Sequence, residues 1–210
     1  KEKAFEILAI GDEYVTDATA NLEAATTENV AVTTVAVDGA NIADHLANYT
    51  NGSTVYTKYA DGAIASNVSL ADVVADGDWD AVVIQLGYWN FMAENSESID
   101  TDTASLVAAI KAAASGAEVF VAESWQCDAD CTDERFTDSY ECAGEAELML
   151  AWIESAADLA ISNAGVSKIA VANATYTLAE TASIFGEDNT HLNETGKTAV
   201  AKEWISKLIK

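Results

Sequence analysis

The segment Asp80–Leu86 (DAVVIQL) is apolar at nearly every consecutive position, so it has no face to offer to water. A strand of that kind belongs in a sheet covered on both sides, as in parallel sheets whose crossover helices lie over each face. Phe5–Ile10 (FEILAI) and Val30–Val37 (VAVTTVAV) have the same character and run into Gly11 and Asp38-Gly39, where tight turns are expected. Glu118–Val121 and Lys168–Ala172 complete five strands, and Val55–Tyr59 with Ala63–Ser66 reads as a small hairpin across Asp61-Gly62. Segments with helical spacing lie between them. Asp17 reads as the N-cap of a helix burying Ala18, Leu22 and Ala25, and Ser69 as the cap of a short turn. Further helices are expected over Asn41–Asn48, Thr103–Ala114, Glu141–Ala164 and Glu194–Leu208. Alternating strands and helices predict an α/β fold with a parallel sheet. With no repeat or linker visible, residues 1–210 read as a single domain.

Charge removes several functions. Acidic residues outnumber basic ones 35 to 10, the formal net charge is −25, and Arg135 is the sole arginine. Phosphate contacts need a basic face, so nucleic acid is excluded as a partner. Docking on an anionic membrane is disfavoured for the same reason. No apolar stretch approaches the roughly 20 residues of a membrane span, and the opening residues do not read as a signal peptide. Proline is absent altogether.

Cys127, Cys131 and Cys142 fall close together and are disulfide candidates, which favours a secreted or extracellular setting. Their C-x3-C spacing is not the usual zinc pattern. The acidic run Asp128, Asp130, Asp133 and Glu134 lacks the glycine and glutamate spacing of a calcium loop. No metal and no cofactor are expected.

Four short blocks then occur in order. They are Gly11-Asp12-Glu13 after the first strand, Gly39 after the second, Gly87-Tyr88-Trp89-Asn90 after the third, and Asp188-Asn189-Thr190-His191 before the last helix. Singly, G-x-x-N or D-x-x-H would carry no weight. In this order, with AIGDEYVTDATANL as the opening block and EDNTHLNETG as the closing one, the chain resembles the SGNH, or GDSL-type, hydrolase superfamily over essentially its whole length. That resemblance implies a three-layer α/β/α sandwich, flavodoxin-like, around a five-stranded parallel sheet. It implies His191 as general base, Asp188 as the carboxylate that orients its ring, and Gly39 and Asn90 as oxyanion-hole donors.

One position departs from the family pattern. Glu13 stands where the resemblance requires the nucleophilic serine. A carboxylate is a poor nucleophile toward an ester, because the product would be an anhydride, and its charge opposes a developing oxyanion. The sequence therefore reads as a degenerate, inactive relative with a binding, structural or self-assembling role. Tyr88, Trp89 and Phe91 are aromatic candidates near its cleft. The alternative is an active carbohydrate esterase or deacetylase hydrolysing O-acyl esters. A carbohydrate or acylated small molecule, or a second copy of the chain, is the partner expected.

Overall fold

The computed structural model describes residues 3–90, 97–133 and 145–209. Along the chain run β1 (Phe5–Gly11), α1 (Val15–Thr19), β2 (Val30–Ala36), α2 (Ile42–Asn51), β3 (Tyr56–Ala60), β4 (Ala63–Val68) and α3 (Leu70–Asp76). There follow β5 (Ala81–Gln85), α4 (Ile99–Ala113), β6 (Glu118–Ala122), α5 (Ala146–Ser162), β7 (Ser167–Ile169), α6 (Ala172–Ala179) and α7 (Glu194–Leu208). All seven strands form one sheet in the order β4-β3-β2-β1-β5-β6-β7. β1 is central and pairs in parallel with β2 and β5, as its fully buried Ile7–Ile10 requires.

The sheet has seven strands where five were expected, because the hairpin adds β3 and β4 antiparallel to the edge at β2. Asp61 and Gly62 turn that hairpin with φ of 50° and 73°. Both lie in the left-handed region that two-residue hairpin turns demand. At the other edge β7 is shorter than expected, and Ala172 opens α6 instead of ending a strand. The cause is tertiary. The buried Glu123 carboxylate accepts the Val171 and Ala172 amides at 3.0 and 3.1 Å, and Lys168 neutralises it at 2.8 Å.

Local caps fix the helices elsewhere. Asn41 and Asp44 form a reciprocal capping box on α2, Ser69 accepts the Asp72 amide at the head of α3, and Asn193 caps α7. Asp17, expected as an N-cap, lies inside the short α1, and its carboxylate is used elsewhere. The Glu141–Gly144 part of the expected long helix lies outside the described residues. Because β1, β2 and β5 are parallel, the loops after them open at one edge of the sheet, where such folds place their sites. Among the described residues no helix is long and apolar enough to cross a membrane.

Candidate active site

Glu13 follows β1 at the turn into α1, half-buried, with Asp12 fully buried beside it. The Gly39 amide, in the loop after β2, donates to Glu13 Oε2 at 2.7 Å. Gly39 has a φ of 69°, a conformation that glycine adopts without strain and that aims its N–H at the carboxylate. The residue expected to supply an oxyanion donor thus already holds an anion of the chain itself.

His191 lies on the loop before α7. Its Nδ1 is 2.9 Å from Asp17 Oδ2, which also accepts the Leu192 amide at 2.8 Å. The ring partner is therefore Asp17, not the expected Asp188. Asp188 is exposed, and its Oδ1 is turned back on its own loop to accept the Thr190 and His191 amides at 3.1 and 2.9 Å. It shapes the backbone that carries the imidazole, while Asp17 holds the imidazole itself. No local signal separates Asp17 from a helix N-cap, because its partner His191 lies 174 positions along the chain.

The Asp17 hydrogen bond raises the His191 pKa above its usual value against the opposing effect of burial, and the charges of Asp17, Asp188 and Glu13 add to it. One face of the ring stacks on Tyr14, with centroids 4.4 Å apart, and Tyr14 meets Tyr88 edge-on at 4.5 Å. Trp125 and Tyr88 both donate to the Thr190 carbonyl, at 3.0 and 3.5 Å, which fixes the loop from below.

Asn90 is brought to the same edge, but its amide is committed to the backbone. Oδ1 accepts the Ile42 amide at 2.8 Å, and Nδ2 donates to the Gly87 carbonyl at 3.2 Å. Burial, then the charge of Glu13, pushes the Asp12 pKa up to about 8. Its Oδ1 accepts the Tyr14 amide, and Oδ2 faces Gly87 so closely that a Cβ there would overlap the carboxyl. Only glycine fits at position 87.

Two of the three disulfide candidates, Cys127 and Cys131, fall within the described residues. Cys127 and Cys131 are both buried and not bonded to each other; Cys127 Sγ packs 3.7 Å from Met149 Sδ, as a small apolar side chain would. Cys142, Glu134 and Phe91 lie outside the described residues. The acidic loop is tied to the His191 loop through the Asp128 amide to the Asn189 carbonyl at 2.8 Å and Asn189 Nδ2 to the Asp130 carbonyl at 3.2 Å. Among the described residues no group of three or more His, Cys, Asp or Glu could hold a metal ion.

Known structures share this fold. A DUF4886 family protein from Bacteroides uniformis superposes with a TM-score of 0.83 at 19% identity, covering 99% of this chain and 83% of that one. A protein assigned to the SGNH hydrolases from Slackia heliotrinireducens gives 0.62 at 21% identity, covering 97% and 98%. The lipase/acylhydrolase from Enterococcus faecalis gives 0.60 at 14% identity, covering 97% and 94%. No curated protein matches the sequence. Residues 6–210 match the family model described as a domain of unknown function, DUF4886. The chain thus has the SGNH-hydrolase fold and belongs to the DUF4886 family.

Proposed function

We propose that this chain is a hydrolase-fold protein that does not cleave esters and whose cleft serves binding. One observation carries the reading: the Glu13 carboxylate occupies the Gly39 amide that ester hydrolysis would need for its oxyanion. A substrate carbonyl would have to displace an anion from a short, charge-assisted hydrogen bond before any chemistry began. The ligand class is a carbohydrate or an acylated small molecule, bound against the aromatic and carboxylate groups around His191.

A structural role has its own support in β4. Ala63–Asn67 are exposed, uncharged and at the sheet edge, in a chain of net charge −25. Ile64 alone is 69% exposed. An edge without charges is open to strand addition, and the repulsion between two such acidic chains is least there. Light scattering across a salt series tests this: dimers that appear at high salt and vanish in Ile64→Lys support pairing of two copies, and a monomer throughout rejects it.

A second reading, hydrolysis of O-acyl esters, is favoured by the Asp17–His191 pair, which retains the geometry of a general base and its orienting carboxylate. Hydrolysis of para-nitrophenyl acetate by the purified protein separates the two. No turnover above that of the His191→Ala variant is the expected result. Turnover that His191→Ala abolishes would establish the esterase and overturn the binding reading.

A further inference from the structure

Glu13 is unsuited to attack an ester, yet its surroundings are those of a nucleophile. We infer that Glu13 is a carboxylate nucleophile for an electrophilic saturated carbon, and that the cleft opens small terminal epoxides to vicinal diols. The inference rests on the part of the reading above that removes ester cleavage, and goes beyond the binding role.

Three features of the geometry converge on it. The first is the side chain's place at the turn after β1, half-buried and so reachable from solvent. The second is the Gly39 amide on Oε2. Once Glu13 is esterified, Oε2 becomes the carbonyl oxygen of that ester, and Gly39 already donates to the atom on which an oxyanion would form. The third is the Asp17–His191 pair. With Nδ1 committed to Asp17, Nε2 is the nitrogen left for proton traffic, and the charge of Glu13 is felt at the ring. A carboxylate attacking saturated carbon forms an ordinary ester, not the anhydride that bars it from acyl transfer.

The steps balance. A lone pair of the Glu13 carboxylate forms a bond to the less substituted ring carbon as that carbon's bond to the epoxide oxygen breaks. The oxygen keeps the electron pair and takes the proton of the His191 imidazolium. Neutral His191 then removes a proton from water, whose oxygen bonds to the Glu13 carboxyl carbon while the carbonyl electrons move onto Oε2, under the Gly39 amide. Collapse expels the alkoxide, which takes the proton from His191, and the carboxylic acid left on Glu13 reprotonates the ring. Epoxide and water have become a diol, with one Glu13 oxygen exchanged for the oxygen of water. Asp17 is a positioning residue throughout.

The test uses butylene oxide as probe. Unmodified protein is expected to form the diol. His191→Ala should slow release by about 10²-fold and accumulate an ester that peptide mass spectrometry locates on Glu13. Glu13→Gln should carry no such adduct. In water carrying heavy oxygen, one turnover of the unmodified protein should place the label in the Glu13 carboxylate, a readout independent of whether either variant folds. Heavy oxygen in the diol but not in Glu13, no diol at all, or equal labelling of Glu13→Gln would overturn the inference. Esterase activity gained by Glu13→Ser in the same preparations would show that the loss of ester cleavage stands even where epoxide opening fails.

Discussion

Glu13 and Gly39 are joined by a 2.7 Å hydrogen bond in which the Gly39 amide donates to Oε2, across the loops that follow the two strands β1 and β2. Glutamate is longer than serine by two carbon atoms, and this extra reach lets a side chain at position 13 cover a donor that a hydroxyl would leave open. The bond thus ties the loop after β1 to the loop after β2 and occupies the amide that the resemblance would assign to an oxyanion.

Shortening that side chain should reverse both. Glu13→Ser uncovers Gly39 and provides a hydroxyl for His191 to deprotonate, so hydrolysis of an acetyl ester should rise by about 10³-fold over the parent. Glu13→Ala uncovers the donor without adding a nucleophile and should show no comparable gain. Steady-state rates for the two variants, each with and without His191→Ala, check this; equal rates in Ser and Ala variants would sink it.

The imidazole is expected to follow Asp17. Its hydrogen bond is the largest cause of the raised His191 pKa, so Asp17→Asn should bring the titration of the ring back toward or below the ordinary histidine value. Asp188→Asn should shift it less, since Asp188 acts on the ring only through space. The raised folded value also means that this pair adds stability below the unfolded histidine pKa and loses it as pH rises through the folded one. Proton NMR titration of His191 in the three proteins separates the two carboxylates; a larger shift from Asp188→Asn would reverse their roles.

His45 has the opposite sign. It is fully buried on α2 with Nδ1 2.8 Å from the Tyr56 hydroxyl, and burial, opposed by the charge of Asp44, pushes its pKa down to about 4. The unfolded chain therefore binds the proton first, and stability should fall as pH drops from the ordinary value of about 6.5 toward 4, by up to about 3 kcal/mol. Urea unfolding from pH 7 to 4.5 should show that slope in the parent, reduced in His45→Gln. Parallel curves for the two proteins would assign the acid sensitivity to carboxylates instead.

Gly87→Ala should destabilise the fold by about 3 kcal/mol, because the new Cβ would overlap the buried Asp12 carboxyl, itself held by the Tyr14 amide. In an Asp12→Ala background the same change should cost much less. Thermal or urea unfolding of the four proteins of this double-mutant cycle measures the coupling, and additive effects would contradict the proposed clash.

How much of this was legible in the sequence depended on range. Asp80–Leu86 and Phe5–Ile10 announced buried strands because every neighbour along them is apolar. Asn41, Ser69 and Asn193 are helix caps whose partners lie within three residues. Glu13, Gly39 and Asn90 could be placed at one edge because parallel strands turn all their following loops the same way, whereas His191 was placed there only by the family resemblance. Asp17 could not, since its partner lies 174 positions away and an aspartate near a helix start reads locally as a cap. The same holds for α6, whose amides are capped by Glu123 from 48 and 49 residues earlier, and for the hairpin, recognisable as a hairpin but not as an extension of the sheet.

The carboxylate of Asp17 and the ring of His191 come from opposite ends of the chain. Every strand of the sheet precedes His191, so the sheet needs nothing from the segment that completes the pair. The pair closes when α7, which follows His191, docks against α1, which carries Asp17. A fragment cut before His191 would keep all seven strands and lack the pair, so formation of the sheet and assembly of the pair are separable steps.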